Sequence, residues 1–90
     1  MKNLRLTIRG NVQGVFFRAE TKKMADLLGV KGFVKNQTDG SVFVEAEGTP
    51  DAVHKLIDYC HHGPEKASVE RVSIVLGDLT HHTSFEILRD

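Results

Sequence analysis

Hydrophobic and polar residues alternate at the start of the chain and then recur at helical spacing. Every second position from Leu4 to Ile8 is apolar, which predicts a half-buried strand that ends at Gly10. From Phe17 to Leu28 the apolar and small residues recur at intervals of three or four, which predicts an amphipathic helix. Gly29 follows directly, and a glycine at this position commonly ends a helix.

The next segment predicts a hairpin. Two runs of strand-forming residues extend from Gly32 to Thr38 and from Ser41 to Glu47. They are separated by Asp39-Gly40, the dipeptide that most strongly indicates a tight turn between two strands. We therefore expect the second and third strands to be neighbours in a sheet.

A second helix and two further strands follow. Thr49 suits the cap of this helix and Pro50 its first position, while Gly63-Pro64 ends it. Four of its residues are expected to face the interior: Val53, Leu56, Ile57 and Cys60. Two more strands are predicted from Val69 to Leu76, with Val72, Ile74 and Leu76 on one face, and from Ser84 to Leu88, with Phe85 and Ile87 on one face.

The order of these elements is βαββαβ plus a short final strand. It predicts an α+β fold, the ferredoxin-like split βαβ sandwich, in which two helices cover one face of a mostly antiparallel sheet. No linker or low-complexity segment interrupts the chain, which favours a single domain over residues 1–90. The first two strands are joined by a helix, so they run parallel and their C-terminal ends meet at one edge of the sheet. Arg18 and Asn36 are therefore expected to face one pocket.

The connection from Gly10 to Arg18 has the features of an anion-binding turn. Gly10 and Gly14 allow the backbone to bend sharply between the strand and the helix. Backbone N–H groups at the open helix end point toward one place, where the helix dipole adds partial positive charge. Arg18 adds a full charge and a planar set of donors that suits a phosphoryl group.

Three segments carry a resemblance to a known family. Residues 10–18 read G-N-V-Q-G-V-F-F-R, residues 28–42 read L-G-V-K-G-F-V-K-N-Q-T-D-G-S-V, and residues 63–69 read G-P-E-K-A-S-V. With these segments in this order, the chain resembles the acylphosphatases, small enzymes that hydrolyse the carboxyl-phosphate bond of acyl phosphates. Asp90 departs from the pattern, because many members carry an aromatic residue there.

The resemblance implies a site and a mechanism. The phosphoryl oxygens are implied to bind the Arg18 side chain and the backbone amides of Gln13, Gly14, Val15, Phe16, Phe17 and Arg18. The Asn36 side chain is implied to orient the attacking water, and the products are a carboxylate and inorganic phosphate, which also competes with the substrate. Phosphoryl transfer mainly requires positioning and stabilisation of negative charge, so we expect the reaction to need no metal ion or other cofactor.

Composition narrows the class of partner. The chain has 12 basic and 12 acidic residues, so no net charge draws it to nucleic acid or to a membrane. Residues 1–40 carry a net charge of +5 and the remainder −5, which suits a phosphorylated substrate at a site in the first half. No stretch approaches the roughly 20 apolar residues of a membrane span, and the N-terminus does not have the pattern of a signal peptide. We therefore expect a cytoplasmic monomer that acts on a small molecule.

The histidines and the single cysteine predict no competing site. His61-His62 and His81-His82 are adjacent pairs whose rings point apart, which disfavours a chelating metal site. His54 is expected at the surface of the second helix. Cys60 has no partner for an internal disulfide and is expected to serve as a small core residue.

Two other functions remain open from the sequence. Ferredoxin-like domains also bind RNA, and Lys31-Gly32-Phe33 begins like their aromatic motif. The motif does not continue in Val34-Lys35-Asn36, and it lies on the second strand where those domains use the third. Domains similar to acylphosphatase also occur within larger proteins that handle carbamoyl phosphate. Turnover of a free acyl phosphate by this chain alone distinguishes both functions from that of a free acylphosphatase.

Overall fold

The computed structural model describes residues 1–89, so the departure from the family pattern at Asp90 lies outside the described residues. Over this range the chain forms two helices and five strands. In chain order they are β1 (Lys2–Asn11), α1 (Phe17–Leu28), β2 (Lys31–Asn36), β3 (Val42–Gly48), α2 (Pro50–His62), β4 (Ser68–Gly77) and β5 (Phe85–Leu88).

The strands form one sheet in the order β4-β1-β3-β2-β5. β1 pairs antiparallel with β3 and β4, and β3 pairs antiparallel with β2, whereas β5 pairs parallel with β2. The predicted ferredoxin-like α+β fold is confirmed, with β1 and β2 running parallel on either side of β3. The C-terminal ends of β1 and β2 consequently meet at one edge of the sheet.

Both helices begin and end where local signals in the sequence predict. Gly29 ends α1 in the left-handed conformation with φ 74°, and its N–H bonds back to the last turn. The Thr49 hydroxyl caps α2 by accepting a hydrogen bond from the Ala52 N–H at 3.3 Å, and Pro50 takes the first helical position. Such a cap contributes about 1 kcal/mol. Neither helix of the described range is long and apolar enough to cross a membrane.

The hydrophobic core lies between the helices and the sheet. Leu6 and Ile8 of β1 are 1% and 0% exposed, and burying such a side chain contributes about 1.5 to 3 kcal/mol. Cys60 is fully buried, and burial raises the pKa of its thiol to about 12. The prediction that Cys60 is a core residue is confirmed.

The β2–β3 turn is longer than the sequence predicts. A hydrogen bond from the Gln37 N–H to the Ser41 carbonyl (2.9 Å) closes a loop of residues 38–40 instead of a two-residue loop. The Gly40 N–H returns to the Gln37 carbonyl (3.2 Å), and Gly40 has φ 91°, as in a type I turn followed by a left-handed residue. The Asp39 carboxylate accepts from the Ser41 N–H at 3.0 Å, and this side-chain hydrogen bond favours the longer loop.

The apolar face of β4 is only partly covered. Its register pairs Ile74 with Leu6 and Leu76 with Leu4, so these residues lie on the helix-facing side of the sheet, as predicted. Ile74 is 45% exposed and Leu76 is 72% exposed. The reason is that β4 is an edge strand, and the helices leave its C-terminal half uncovered.

The opposite face of the sheet carries a buried polar cluster that the sequence pattern does not reveal. Glu45 and Glu47 are 6% and 2% exposed, because the segment after β4 crosses over them. The Glu47 carboxylate accepts hydrogen bonds from the backbone N–H groups of Thr80 (2.7 Å) and His82 (2.8 Å). The His82 ring contacts Glu45 at 2.6 Å, and the Asn3 amide donates to both carboxylates.

We expect acid to destabilise the fold through Glu47. Burial favours the protonated carboxyl, but hydrogen bonds from Asn3, Thr80 and His82 outweigh it and lower the pKa of Glu47 to about 2. Because this folded-state pKa lies below the ordinary value of 4.5, the stabilisation is present above pH 4.5 and is lost as the pH falls toward 2. Glu47→Gln is expected to lose about 1 to 3 kcal/mol of unfolding free energy at pH 7, since a buried N–H then lacks its acceptor.

Urea denaturation of wild type and variant at neutral and at acid pH measures this effect. The difference in unfolding free energy should shrink in acid, where the wild-type carboxyl also begins to be protonated. Glu70→Gln, an exposed glutamate on β4, is the matched control and should change little at either pH. A Glu47→Gln difference that stays the same at both pH values would contradict the assignment.

Candidate active site

The loop between β1 and α1 begins with a bulge. The pairing of β1 with β4 shifts register between Arg9 and Gly10, and Gly10 has φ 135°. A side chain at this position would collide with the Ser68 carbonyl, so only glycine allows the two strands to lie this close. The bulge turns the chain out of the sheet toward the start of α1.

Backbone N–H groups are left open along the rest of this loop. Val12 is 1% exposed and fixes the loop to the core, while Gly14 (φ 73°) and Phe16 (φ 66°) adopt the left-handed conformation. Phe16 precedes α1 at the cap position and makes no side-chain capping hydrogen bond. Within residues 1–89, the N–H groups of residues 13–18 donate to no protein acceptor. The loop therefore presents a row of donors beside the positive end of the helix dipole.

The Gln13 side chain holds this loop against the β2–β3 turn. Its amide group donates to the carbonyl of Gln37 at 2.8 Å and to the carbonyl of Ser41 at 2.9 Å. The family resemblance implies a role only for the Gln13 backbone amide. The contact of its side chain with the turn becomes visible only once the arrangement of the strands is known. Gln13 and Val15 do not line the cleft described below, since Gln13 reaches the turn and Val15 packs against the core.

Asp39 stabilises the β2–β3 turn. Its carboxylate accepts hydrogen bonds from the Ser41 hydroxyl at 2.5 Å and from the Arg9 guanidinium at 3.0 Å. These hydrogen bonds, led by that of the Ser41 hydroxyl, lower the pKa of Asp39 to about 2. Since Arg9 lies near the end of β1, the charged Asp39 connects the turn to the strand from which the loop emerges.

Arg18 and Asn36 lie at one cleft. Asn36 is the last residue of β2, and the alternation along the strand places it on the same face as the buried Val34, the face covered by the helices. Arg18 is the second residue of α1 and forms no ion pair within residues 1–89. Both line an open cleft of about 290 Å³, together with Gly14, Phe16 and Phe17. The structure thus brings Arg18 and Asn36 to the same place, as the topology predicts.

A second arginine, Arg89, lies beside the same cleft. The parallel pairing of β5 with β2 sets Leu88 opposite Lys35, so Arg89 follows next to Asn36. Arg89 also comes two positions after Ile87, which lines the cleft as well. The period-two pattern of the last strand is the signal that points to Arg89, but it becomes informative only once β5 is known to pair with β2.

The cleft is positively charged. Arg18 and Arg89 line it together with part of the loop that has open N–H groups, and no carboxylate from the described part of the chain lines it. Residues 1–89 also contain no cluster of three or more histidine, cysteine or acidic side chains placed to hold a metal ion. The donors of the cleft therefore suit a phosphoryl group, which is anionic and accepts several directional hydrogen bonds.

The histidines lie away from the cleft. His54, His61 and His62 are exposed on α2, as their positions on the second helix suggest. His82 is half-buried against Glu45 and meets the Phe33 ring edge-on at 6.0 Å. The sheet face opposite the helices therefore carries Phe33 beside His82 and the buried Glu45.

Comparisons with known proteins agree on one family. The family model for acylphosphatase matches residues 4–87. The acylphosphatase of Gloeobacter violaceus is 45% identical over 82 residues, which cover 91% of this chain and 88% of that protein. The crystal structure of acylphosphatase from Bacillus subtilis matches with a TM-score of 0.95 at 32% identity, over 98% of this chain and 99% of that chain.

The same fold occurs inside a larger protein. Full-length HypF, in its phosphate- and nucleotide-bound form, matches with a TM-score of 0.87 at 21% identity, over 99% of this chain and 12% of that chain. At this identity the likeness concerns the fold alone. The match to the Gloeobacter violaceus protein, by contrast, extends over most of both chains. The chain belongs to the acylphosphatase family of acyl phosphate hydrolases.

Proposed function

We propose that this protein hydrolyses acyl phosphates to a carboxylate and inorganic phosphate at the Arg18–Asn36 cleft, without a metal ion or cofactor. The observation that carries the proposal is the convergence at one cleft of Arg18, Asn36 and the loop with its open N–H groups. The test is turnover of benzoyl phosphate by this chain alone, with a metal chelator present. Absence of turnover by the folded protein would refute the proposal.

Arg18 and the amides of residues 13–18 bind the phosphoryl oxygens in this proposal. The transition state of phosphoryl transfer is loose, and its charge is spread over the three equatorial oxygens. Donors that are already in place stabilise this charge without reorganising during the reaction. The hydrogen bonds of Gln13 and Asp39 supply that rigidity, because they hold the loop against the β2–β3 turn.

The Asn36 side chain positions the attacking water. A neutral amide cannot act as a general base at pH 7, but its carbonyl accepts a hydrogen bond from water and its NH2 group donates one. The proton of the water passes to an oxygen of the substrate's own phosphoryl group. The carboxylate is a good leaving group, so it leaves without a general acid.

The number of donors is sufficient for a large acceleration. Removing one preorganised donor costs about 10²- to 10³-fold in rate. An acceleration of 10⁶-fold corresponds to about 8 kcal/mol of transition-state stabilisation. Several amides acting together with Arg18 therefore account for catalysis on this scale.

Arg89→Ala is expected to weaken substrate binding more than it slows the chemical step. Arg89 is exposed at the rim of the cleft, so its charge attracts the substrate and the transition state about equally. We expect KM to rise about three- to tenfold and kcat to stay within about twofold. Steady-state kinetics measure both, and Arg71→Ala on the exposed face of β4 is the matched control for the loss of one positive charge. A tenfold loss of kcat at unchanged KM would contradict this role.

We further propose that residues 1–90 act as one domain and as a monomer in the cytoplasm. The β1–α1 loop, β2 and β5 of a single chain line the cleft, so a second copy is not needed to complete it. The single, buried Cys60 thiol suits a reducing compartment. Inorganic phosphate is the product, and it is expected to bind the same donors and compete with the substrate.

A further inference from the structure

A second groove adjoins the cleft on the side of Phe16. It has a volume of about 440 Å³ and is lined by the β1–α1 loop, the first turn of α1, the end of α2 and the segment that follows α2. Its apolar surface comes from Val15, Phe16, Tyr59 and Pro64. Phe16 is the residue shared by the groove and the Arg18–Asn36 cleft, so the two form one continuous surface.

Phe16 is held out toward solvent in an uncommon backbone conformation. It is 75% exposed, whereas the neighbouring Phe17 is 2% exposed and belongs to the core. Its φ of 66° lies in the left-handed region, which is unfavourable for a bulky side chain and is found at functional sites more often than elsewhere. Neither core packing nor helix capping accounts for an aromatic ring at this position.

In-line attack by the water places the acyl group on the Phe16 side of the cleft. In phosphoryl transfer the attacking and leaving oxygens lie roughly in line through the phosphorus. In the proposed function the attacking water lies beside Asn36, on the wall of the cleft formed by β2 and β5. No described residue of β2 or β5 lines the second groove, which begins at Phe16 at the other end of the loop.

We propose that the acyl part of the substrate lies against Phe16 and extends into this groove, so that the enzyme favours acyl phosphates with neutral aromatic or other large apolar acyl groups. This inference rests on the proposed function and names the substrate class of the same site. The apolar side chains of the groove favour such groups over acetyl. Glu20 and Glu65 outnumber the single cation Lys66 in the groove, which disfavours acyl groups with a second carboxylate.

Tyr59 contributes a neutral ring to this surface. Burial raises the pKa of its phenol to about 12, with a smaller contribution from the nearby Glu20. The ring is therefore uncharged at neutral pH and offers an apolar face with one hydroxyl at its edge. A benzoyl or phenylacetyl group matches such a surface.

The test compares substrates within each variant. We would measure kcat/KM for phenylacetyl phosphate, acetyl phosphate and succinyl phosphate with wild type, Phe16→Asn and Leu27→Asn. Asparagine tolerates the left-handed conformation, so Phe16→Asn removes the ring without straining the loop. Leu27 is also 75% exposed, and it lies on α1 outside both the Arg18–Asn36 cleft and the groove. Leu27→Asn is therefore the matched control.

We expect wild type to prefer phenylacetyl over acetyl phosphate by about tenfold, and this ratio to fall to about one in Phe16→Asn but not in Leu27→Asn. Glu20→Gln should raise kcat/KM for succinyl phosphate relative to acetyl phosphate about twofold. A proportional loss of all three rates in Phe16→Asn would mean that Phe16 only supports the loop, and this would overturn the inference. A wild-type preference for succinyl phosphate would also overturn it. Failure of wild type to hydrolyse any of the three would instead refute the proposed function.

Discussion

Replacing Arg18 by alanine is expected to lower kcat/KM for an acyl phosphate by about 10³-fold or more. The guanidinium is the full positive charge that the first turn of α1 brings to the cleft, and it forms no ion pair within residues 1–89. In the proposed function, its loss removes charge-assisted hydrogen bonds that form with the substrate and strengthen in the transition state. The same variant should lose competition by inorganic phosphate. Steady-state kinetics with phosphate as inhibitor measure both effects.

Two companion variants separate geometry from charge. Arg18→Lys keeps the charge but loses the planar pair of donors, so its activity should fall between those of wild type and Arg18→Ala. Lys23→Ala removes an exposed charge from the same helix outside the cleft and should leave the kinetics nearly unchanged. Normal phosphate inhibition in Arg18→Ala would show that the anion binds elsewhere.

Asn36→Ala is expected to reduce kcat by about 10²- to 10³-fold while phosphate binding and the fold stay largely intact. The amide lies at the end of β2, outside the buried core, so its removal leaves no unfilled core position. In the proposed function, the water that Asn36 orients contributes mainly in the transition state. The inhibition constant of phosphate should therefore change by no more than about twofold, because the Arg18 donors remain.

The control for this variant is Asn11→Ala, an exposed asparagine at the end of β1. It removes an amide of the same size near the same edge of the sheet, and it should leave kcat unchanged. Thermal unfolding of both variants shows whether the fold is intact. A loss of stability in Asn36→Ala with unchanged kcat would reduce Asn36 to a structural residue of the strand end.

Much of the fold follows from short-range signals. α1 runs from Phe17 to Leu28 and ends at Gly29, as the helical spacing and the glycine predict. α2 begins at Pro50 after the cap residue Thr49, because adjacent residues specify both positions. The parallel relation of β1 and β2 follows from the order of elements, and with it the meeting of Arg18 and Asn36. The residues at the helix ends and the order of the elements are therefore sufficient to predict these features.

The remaining features depend on contacts between distant segments. The Gln13 side chain bonds to a turn more than twenty residues away, and its partners are backbone carbonyls that no sequence pattern displays. Arg89 reaches the cleft only because β5 adds to the sheet beside β2. The longer β2–β3 loop is likewise favoured by a hydrogen bond from the Ser41 N–H to the Asp39 side chain. The sequence predicts that Arg18 and Asn36 meet at one cleft, but it does not predict the contacts that hold the loop and the turn in place.

The residues of the family motifs fall into two groups by their position relative to the cleft. Arg18 and Asn36 line the cleft, whereas Gln13 and Asp39 lie behind it and connect the loop, the turn and β1. Gly10 allows the close approach of β1 and β4 from which the loop departs. Catalysis by positioned donors needs both groups, because a donor that moves loses much of its advantage in the transition state.

The most direct test of the central claim is hydrolysis of benzoyl phosphate, followed by ultraviolet absorbance in the presence of a metal chelator, for wild type and Asn36→Ala side by side. The structure predicts turnover by wild type with the chelator present, and a loss of about 10²-fold or more in the folded Asn36 variant. Equal turnover by the two proteins would remove Asn36 from the mechanism. No turnover by folded wild type would contradict the proposed hydrolysis of acyl phosphates at this cleft.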